Sequence, residues 1–176
     1  MASFCTPVNI KATDVDGMVA FAKENGVDFA VVAPDDPLVL GMVDAMEEAG
    51  IPSFGPNKAA AIIEGSKVFS KNLMKKYGIP TAKYETFASE EEAVAYLKAQ
   101  NTYPTVVKAD GLALGKGVLI AKNEQEALDA VHSIMSDKIF GASGNHIVIE
   151  EFLEGPEVSV LSFTDGQTLV PMISSK

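Results

Sequence analysis

Short apolar runs alternate along this chain with stretches in which apolar residues return every three or four positions. The first pattern suits buried strands and the second suits helices with one buried face. A helix is expected from Asp14, a side-chain N-cap, through Met18, Val19 and Phe21 to a stop at Gly26. Residues 29–33 read as a buried strand, 38–49 as one helix closed by Gly50, and 51–54 as a short strand before the Gly55-Pro56 turn. Strand, helix and strand in that order predict a parallel pair joined by a crossover helix. Asn57 is expected to cap a short helix ending near Gly65, and Ser66 a second one over 67–77 that stops at Gly78.

The pattern changes at Ile79-Pro80-Thr81, where proline resists helix. Beyond it, 84–87 reads as a strand, and Ser89 with Glu92 forms a capping box for a helix to Gln100. Strands are expected at 105–108 and 118–121, with a glycine-rich stretch between them. Asn123 should cap a helix to about Met135. A strand at 147–149 and a hairpin of 157–163 with 168–173 across Asp165-Gly166 complete the reading. The alternation of elements predicts an α/β fold.

Composition narrows the function. The chain is 47% hydrophobic and 22% charged, enough to build a core. Its net charge of -10, from 24 acidic and 14 basic side chains, argues against nonspecific nucleic-acid binding, which needs a basic face. Cys5 is the single cysteine, so no internal disulfide forms and a cytoplasmic setting is expected. No signal-peptide pattern opens the chain, and no apolar run approaches the roughly 20 residues of a membrane helix.

Three segments have chemistry in them. The first is Lys108-Ala109-Asp110-Gly111-Leu112-Ala113-Leu114-Gly115-Lys116-Gly117. A strand delivers a lysine, and glycines then let backbone N–H groups approach phosphate oxygens. Lys108 and Lys116 would add point charges. It is not a Walker loop, because a strand follows instead of a helix. An ordinary glycine-rich hairpin with a solvated lysine fits the same residues. The second segment is Glu150-Glu151-Phe152-Leu153-Glu154-Gly155-Pro156-Glu157, a connector able to offer backbone groups to a purine edge and a carboxylate to ribose hydroxyls. An acidic surface shoulder fits it too. The third is Gly65-Ser66-Lys67, with Lys71 one turn on along the same helix face, where lysines are commonly just solvated. His132 and His146 lack partners at zinc-ligand spacing, and Ser66 and Ser159 lack a base for a hydrolase triad.

In this order the three segments resemble the nucleotide-binding half of the ATP-grasp superfamily. The wording is most similar to the phosphoribosylamine–glycine ligase family, in Phe54-Gly55-Pro56, Glu64-Gly65-Ser66-Lys67, Gly78-Ile79-Pro80-Thr81-Ala82 and Lys108-Ala109-Asp110-Gly111-Leu112-Ala113. The loop Pro34-Asp35-Asp36-Pro37-Leu38-Val39 fits as well, with Ala33 and Asp35 where the family more often has glycine and glutamate. Other ATP-grasp ligases and carboxylases, such as biotin carboxylase, share the architecture but not the Lys-Ala-Asp-Gly-Leu-Ala wording.

The resemblance implies a partial Rossmann-like parallel layer with linker helices over 1–80, a small ATP-grasp lid over 81–145, and the start of the second ATP-grasp sheet over 146–176. It implies an ATP-dependent carbon–nitrogen ligase of purine biosynthesis that joins glycine to 5-phosphoribosylamine through a glycyl phosphate. Lys67 and Lys108 would hold ATP phosphates, and the loop with Gly111, Gly115, Lys116 and Gly117 would fold over them. Glu150, Glu151 and Leu153 would frame the adenine, and Glu157 would reach the ribose. Magnesium or manganese would be held by ligands outside this chain. The resemblance thus points to a central excerpt, cut at both ends, inactive in isolation and prone to self-association. A nucleotide-binding fragment without catalysis of its own is the alternative.

Overall fold

A computed structural model describes residues 4–113 and 116–176. The N-terminal layer contains α1 (Val15–Glu24), β1 (Ala30–Val31), α2 (Asp35–Leu40), α3 (Met42–Glu48) and β2 (Ser53–Phe54). Asp14 caps α1 by accepting from the Gly17 amide at 3.0 Å. The two strands pair in parallel, Ala30 with Ser53 and Val31 with Phe54. Their core is Ala22, Val32, Met42, Val43, Met46 and Ile51.

Two expectations need correction here. The single helix over 38–49 is two helices, broken at Gly41, whose φ of 96° ends α2 in the left-handed region. Residues 29–33 are not a buried strand. Val32 joins the core and Ala30 packs against it in part, while Phe29 and Val31 are exposed.

Next come α4 (Lys58–Gly65), capped by Asn57, and α5 (Lys67–Tyr77), capped by Ser66 and ended by Gly78. A four-stranded sheet contains β3 (Tyr84–Phe87), β4 (Thr105–Ala109), β5 (Val118–Ala121) and β6 (Ile147–Glu151). Its order is β3-β6-β4-β5, antiparallel throughout. On one face lie α6 (Glu90–Gln100) and α7 (Glu124–Met135). Ala93, Leu97, Val131 and Ile134 from these helices meet Val107, Ala109, Ile147 and Ile149 from the strands. Each fully buried aliphatic side chain there contributes about 1.5–3 kcal/mol by leaving water.

The strand at 147–149 was expected to open the next sheet. It lies instead between β3 and β4, with both edges hydrogen-bonded. Its uninterrupted apolar start suits that interior position. A hairpin of β7 (Ser162–Thr164) and β8 (Leu169–Pro171) follows, turned by Asp165, whose carboxylate accepts from the Gln167 and Thr168 amides. Among the described residues, no helix is long and apolar enough to cross a membrane.

Candidate functional site: a lysine-lined face of the antiparallel sheet

Side chains alternate along a strand. With Val107 and Ala109 facing the helices, Val106 and Lys108 of β4 face the other way. The same alternation turns Val148 and Glu150 of β6, and Val118 and Ile120 of β5, to that second face. Lys108 pairs across the ladder with Val148 and Val118, and Val106 with Glu150 and Ile120. Lys108 and Glu150 are therefore diagonal neighbours, within reach of a long side chain, and they form an ion pair.

Glu150 is only 6% exposed. A carboxylate at that depth requires cations. The second one comes from α5, where Lys71 Nζ lies 2.5 Å from Oε2. That contact is ionic, since Oε2 has no hydrogen bond of regular geometry. Lys71 also donates to Thr81 Oγ1 at 2.7 Å and lies 5.4 Å from the centre of the Tyr84 ring. The Lys71 and Lys108 side chains are 12% and 26% exposed, so Lys108 keeps more access to a ligand.

A second set of contacts joins α5 to the glycine-rich turn. Lys67 Nζ donates to the Gly111 carbonyl at 2.5 Å. The Ser66 hydroxyl donates to the Asp110 carboxylate at 3.0 and 3.1 Å, and the Val68 amide donates to the same carboxylate at 3.1 Å. Asp110 therefore sits at the positive end of the α5 dipole. Its own amide donates to the His146 carbonyl at 2.9 Å. Gly111 has a φ of 97°, and a Cβ there would stand 2.7 Å from the Ser143 hydroxyl. Burial pushes the Lys67 ammonium below the usual lysine range. The charges of Asp110 and Glu64 oppose that shift, and Lys108 adds to it.

Lys67, Lys71 and Lys108 line one cavity of about 280 Å³ with Met74 and Val148. Lys67 and Glu64 also line a neighbouring cavity of about 430 Å³, whose other walls include Asp35, Asp36, Gly117 and Val118. A third cavity, of about 630 Å³, lies at the end of the sheet beside Thr105, Glu150, Glu151, Leu153 and Tyr103. It is the largest of the three, yet none of the three lysines lines it.

The structure thus gathers Lys67, Lys108, Gly111, Gly117 and Glu150. Glu151 and Leu153 border the adjoining cavity, and the Glu151 carboxylate accepts from the Lys83 amide at 2.9 Å, tying the β3 end of the sheet. Lys116 is exposed, its amide donating to the Ala113 carbonyl at 2.9 Å. Glu157 is exposed and lines none of the three cavities. Gly115 lies outside the described residues. Sequence reasoning gave no role to Lys71 or Asp110. The four-residue spacing from Lys67 was the available signal for Lys71, and membership of the lysine–glycine segment was the signal for Asp110. Among the described residues, no group of three or more His, Cys, Asp or Glu is placed to hold a metal ion.

Two family models match the chain: the phosphoribosylglycinamide synthetase N domain over residues 1–64, and the ATP-grasp (A) domain of the same synthetase over residues 65–176. A phosphoribosylamine–glycine ligase from Rhodopirellula baltica is 51% identical over 172 residues, covering 95% of this chain and 39% of the relative. The Haemophilus influenzae ligase of that name is 50% identical over 169 residues, covering 96% and 39%. The chain therefore spans about two fifths of the length of these curated relatives. Among solved structures, phosphoribosylamine–glycine ligase from Thermotoga maritima is similar with a TM-score of 0.64 at 38% identity, over 69% of this chain and 31% of that one. Biotin carboxylase from Campylobacter jejuni, in a β-γ-ATP complex, has a TM-score of 0.75 at 19% identity, over 90% and 36%. That likeness is one of fold, and the fold is ATP-grasp.

Proposed function

The chain belongs to the phosphoribosylglycinamide synthetase family, and on that premise we propose that it supplies the nucleotide-binding part of an ATP-dependent ligase of purine biosynthesis. The reaction joins glycine to 5-phosphoribosylamine. The glycine carboxylate attacks the γ-phosphorus of ATP, giving glycyl phosphate and ADP. The amine nitrogen of phosphoribosylamine then attacks the acyl carbon. Phosphate leaves, the nitrogen loses a proton, and glycinamide ribonucleotide forms. Positioning and charge stabilisation carry such chemistry.

The observation that carries this reading is the shared cavity of Lys67, Lys71 and Lys108 on an apolar sheet face. Lys67 and Lys108 take the phosphate oxygens, and Gly111 to Gly117, with Lys116, close over them. Val118 and Ile120 offer an exposed apolar surface for the purine beside the buried Val106 and Val148, with Glu150, Glu151 and Leu153 at its edge and Glu157 toward the ribose. The magnesium or manganese of the reaction is assigned to ligands outside this chain.

We further assign 1–80, 81–145 and 146–176 to the N-terminal layer with its linker helices, the lid, and the start of the next sheet, with β6 contributed to the lid sheet from beyond 145. The cytoplasm is the proposed compartment, supported by the lone cysteine. The exposed apolar side chains of the β7–β8 hairpin, among them Phe163, Leu169 and Val170, support self-association of this chain.

The test is ADP release by the full-length protein with ATP, magnesium, glycine and freshly made phosphoribosylamine. Release should require glycine and phosphoribosylamine together. Release that ignores glycine would overturn the reading. The isolated chain is expected to show no turnover.

A further inference from the structure

We propose that Asp110 is a positioning residue for nucleotide binding. Its carboxylate fastens the glycine-rich turn to the first turn of α5, and so holds Lys67 over the phosphate cavity. The inference deepens the nucleotide reading above and rests on it.

Lys67 is the first residue of α5, and a long side chain at a helix start has several rotamers open to it. Here it takes the one that brings Nζ to the Gly111 carbonyl. The residue before that carbonyl is itself fixed. Asp110 accepts from the Ser66 hydroxyl and the Val68 amide, the residues on either side of Lys67. One carboxylate thus grips the backbone around Lys67, while the next residue in the turn receives the lysine's amine. From the other direction, the Asp110 amide is fixed to the His146 carbonyl, just ahead of β6. Asp110 therefore joins three parts of the site, namely α5, the turn and the strand bearing Glu150.

An aspartate has the geometry and the charge for this. Two oxygens accept the hydroxyl and the amide together, and a negative group at a helix N-terminus is stabilised by the dipole. Its charge also favours the ammonium form of the half-buried Lys67. Asp110 acts through Lys67 and is not assigned any contact with nucleotide.

The test is a double-mutant cycle in the full chain, read by calorimetric titration with MgATP. Asp110→Ala should weaken ATP binding about tenfold, the scale of losing one or two charge-assisted hydrogen bonds that hold a ligand-binding group. Lys67→Met should weaken it by at least as much. In the Lys67→Met background, Asp110→Ala should then change affinity less than about twofold, because the group it positions is gone. Asp110→Asn keeps an oxygen for the Ser66 and Val68 donors and should stay within about threefold of the parent at neutral pH. Should the alanine chain not fold, Asp110→Ser, too short for the same grip, takes its place in the cycle. Equal losses from the Asp110 variant in both backgrounds would overturn the positioning role and leave the nucleotide site standing. Unchanged ATP affinity in Lys67→Met alone would overturn the nucleotide reading itself.

Discussion

Replacing Glu150 with glutamine removes one negative charge from between two lysines and leaves the shape nearly unchanged. In the parent, Lys71 and Lys108 both pair with this carboxylate, which is 6% exposed. Breaking a buried pair by deleting one partner costs about 3–5 kcal/mol when the remaining charge is trapped. Lys108 is not fully trapped. Its side chain is 26% exposed and can move its ammonium toward water. Lys71 is more confined, at 12%, with Thr81 and Tyr84 around it. The expected loss is therefore about 2–3 kcal/mol, below the full trapped-charge value. For a chain of this length that is a fall in Tm of roughly 5–10 °C. Urea denaturation followed by circular dichroism measures it. Adding Lys71→Met to Glu150→Gln should recover part of the loss, since it removes the more confined of the two unbalanced charges. A loss under about 1 kcal/mol, the value of an exposed ion pair, would refute the reasoning. So would a double variant less stable than the single one.

Gly111→Ala should cost about 1–3 kcal/mol, because it forces a side chain into a φ of 97° and against the Ser143 hydroxyl; a thermal melt of the variant checks this. The surface cluster at the ends of α6 and α7 should make stability weakly pH-dependent. His132 is raised above its ordinary pKa by its hydrogen bond and charge interaction with Glu90, and also by Asp137, while Glu90 is lowered by hydrogen bonds from Ser136 and His132. The histidine's contribution is complete below its unfolded pKa and is lost as pH rises through the raised folded value. The glutamate's is present above its unfolded pKa and is lost as pH falls through the lowered folded value. His132→Ala should therefore lower Tm more at pH 6 than at pH 8.

The local elements were legible because their signals are local. Asp14, Asn57, Ser66, Ser89 and Asn123 each cap the helix that follows with a side-chain oxygen, as their types and positions foretell. Tyr84–Phe87 and Val118–Ala121 have the bounds expected from their apolar content and the turns around them. The break at Gly41 is not legible in the same way, because an isolated glycine within an apolar helical pattern is tolerated in a helix interior. The central place of β6 was not legible either. Pairing order depends on which edges meet across some forty residues of intervening chain, and no local pattern encodes it. For the same reason Glu150 read as part of an acidic shoulder. Its burial depends on Lys71 and Lys108, which arrive from another helix and another strand. The alternation of Val106 with Lys108 and of Val148 with Glu150 was present in the sequence, but it acquires meaning only once the register aligns the two strands.

The central claim is that nucleotide binds on the lysine-bearing face of the antiparallel sheet. Hydrogen–deuterium exchange of the full-length protein, with and without MgATP, locates the ligand by segment. The account predicts slower exchange over 108–117 and 150–154 on adding MgATP, with the interior of α7 unchanged on the opposite face. Protection confined to α6 and α7, or none at saturating MgATP, would contradict it.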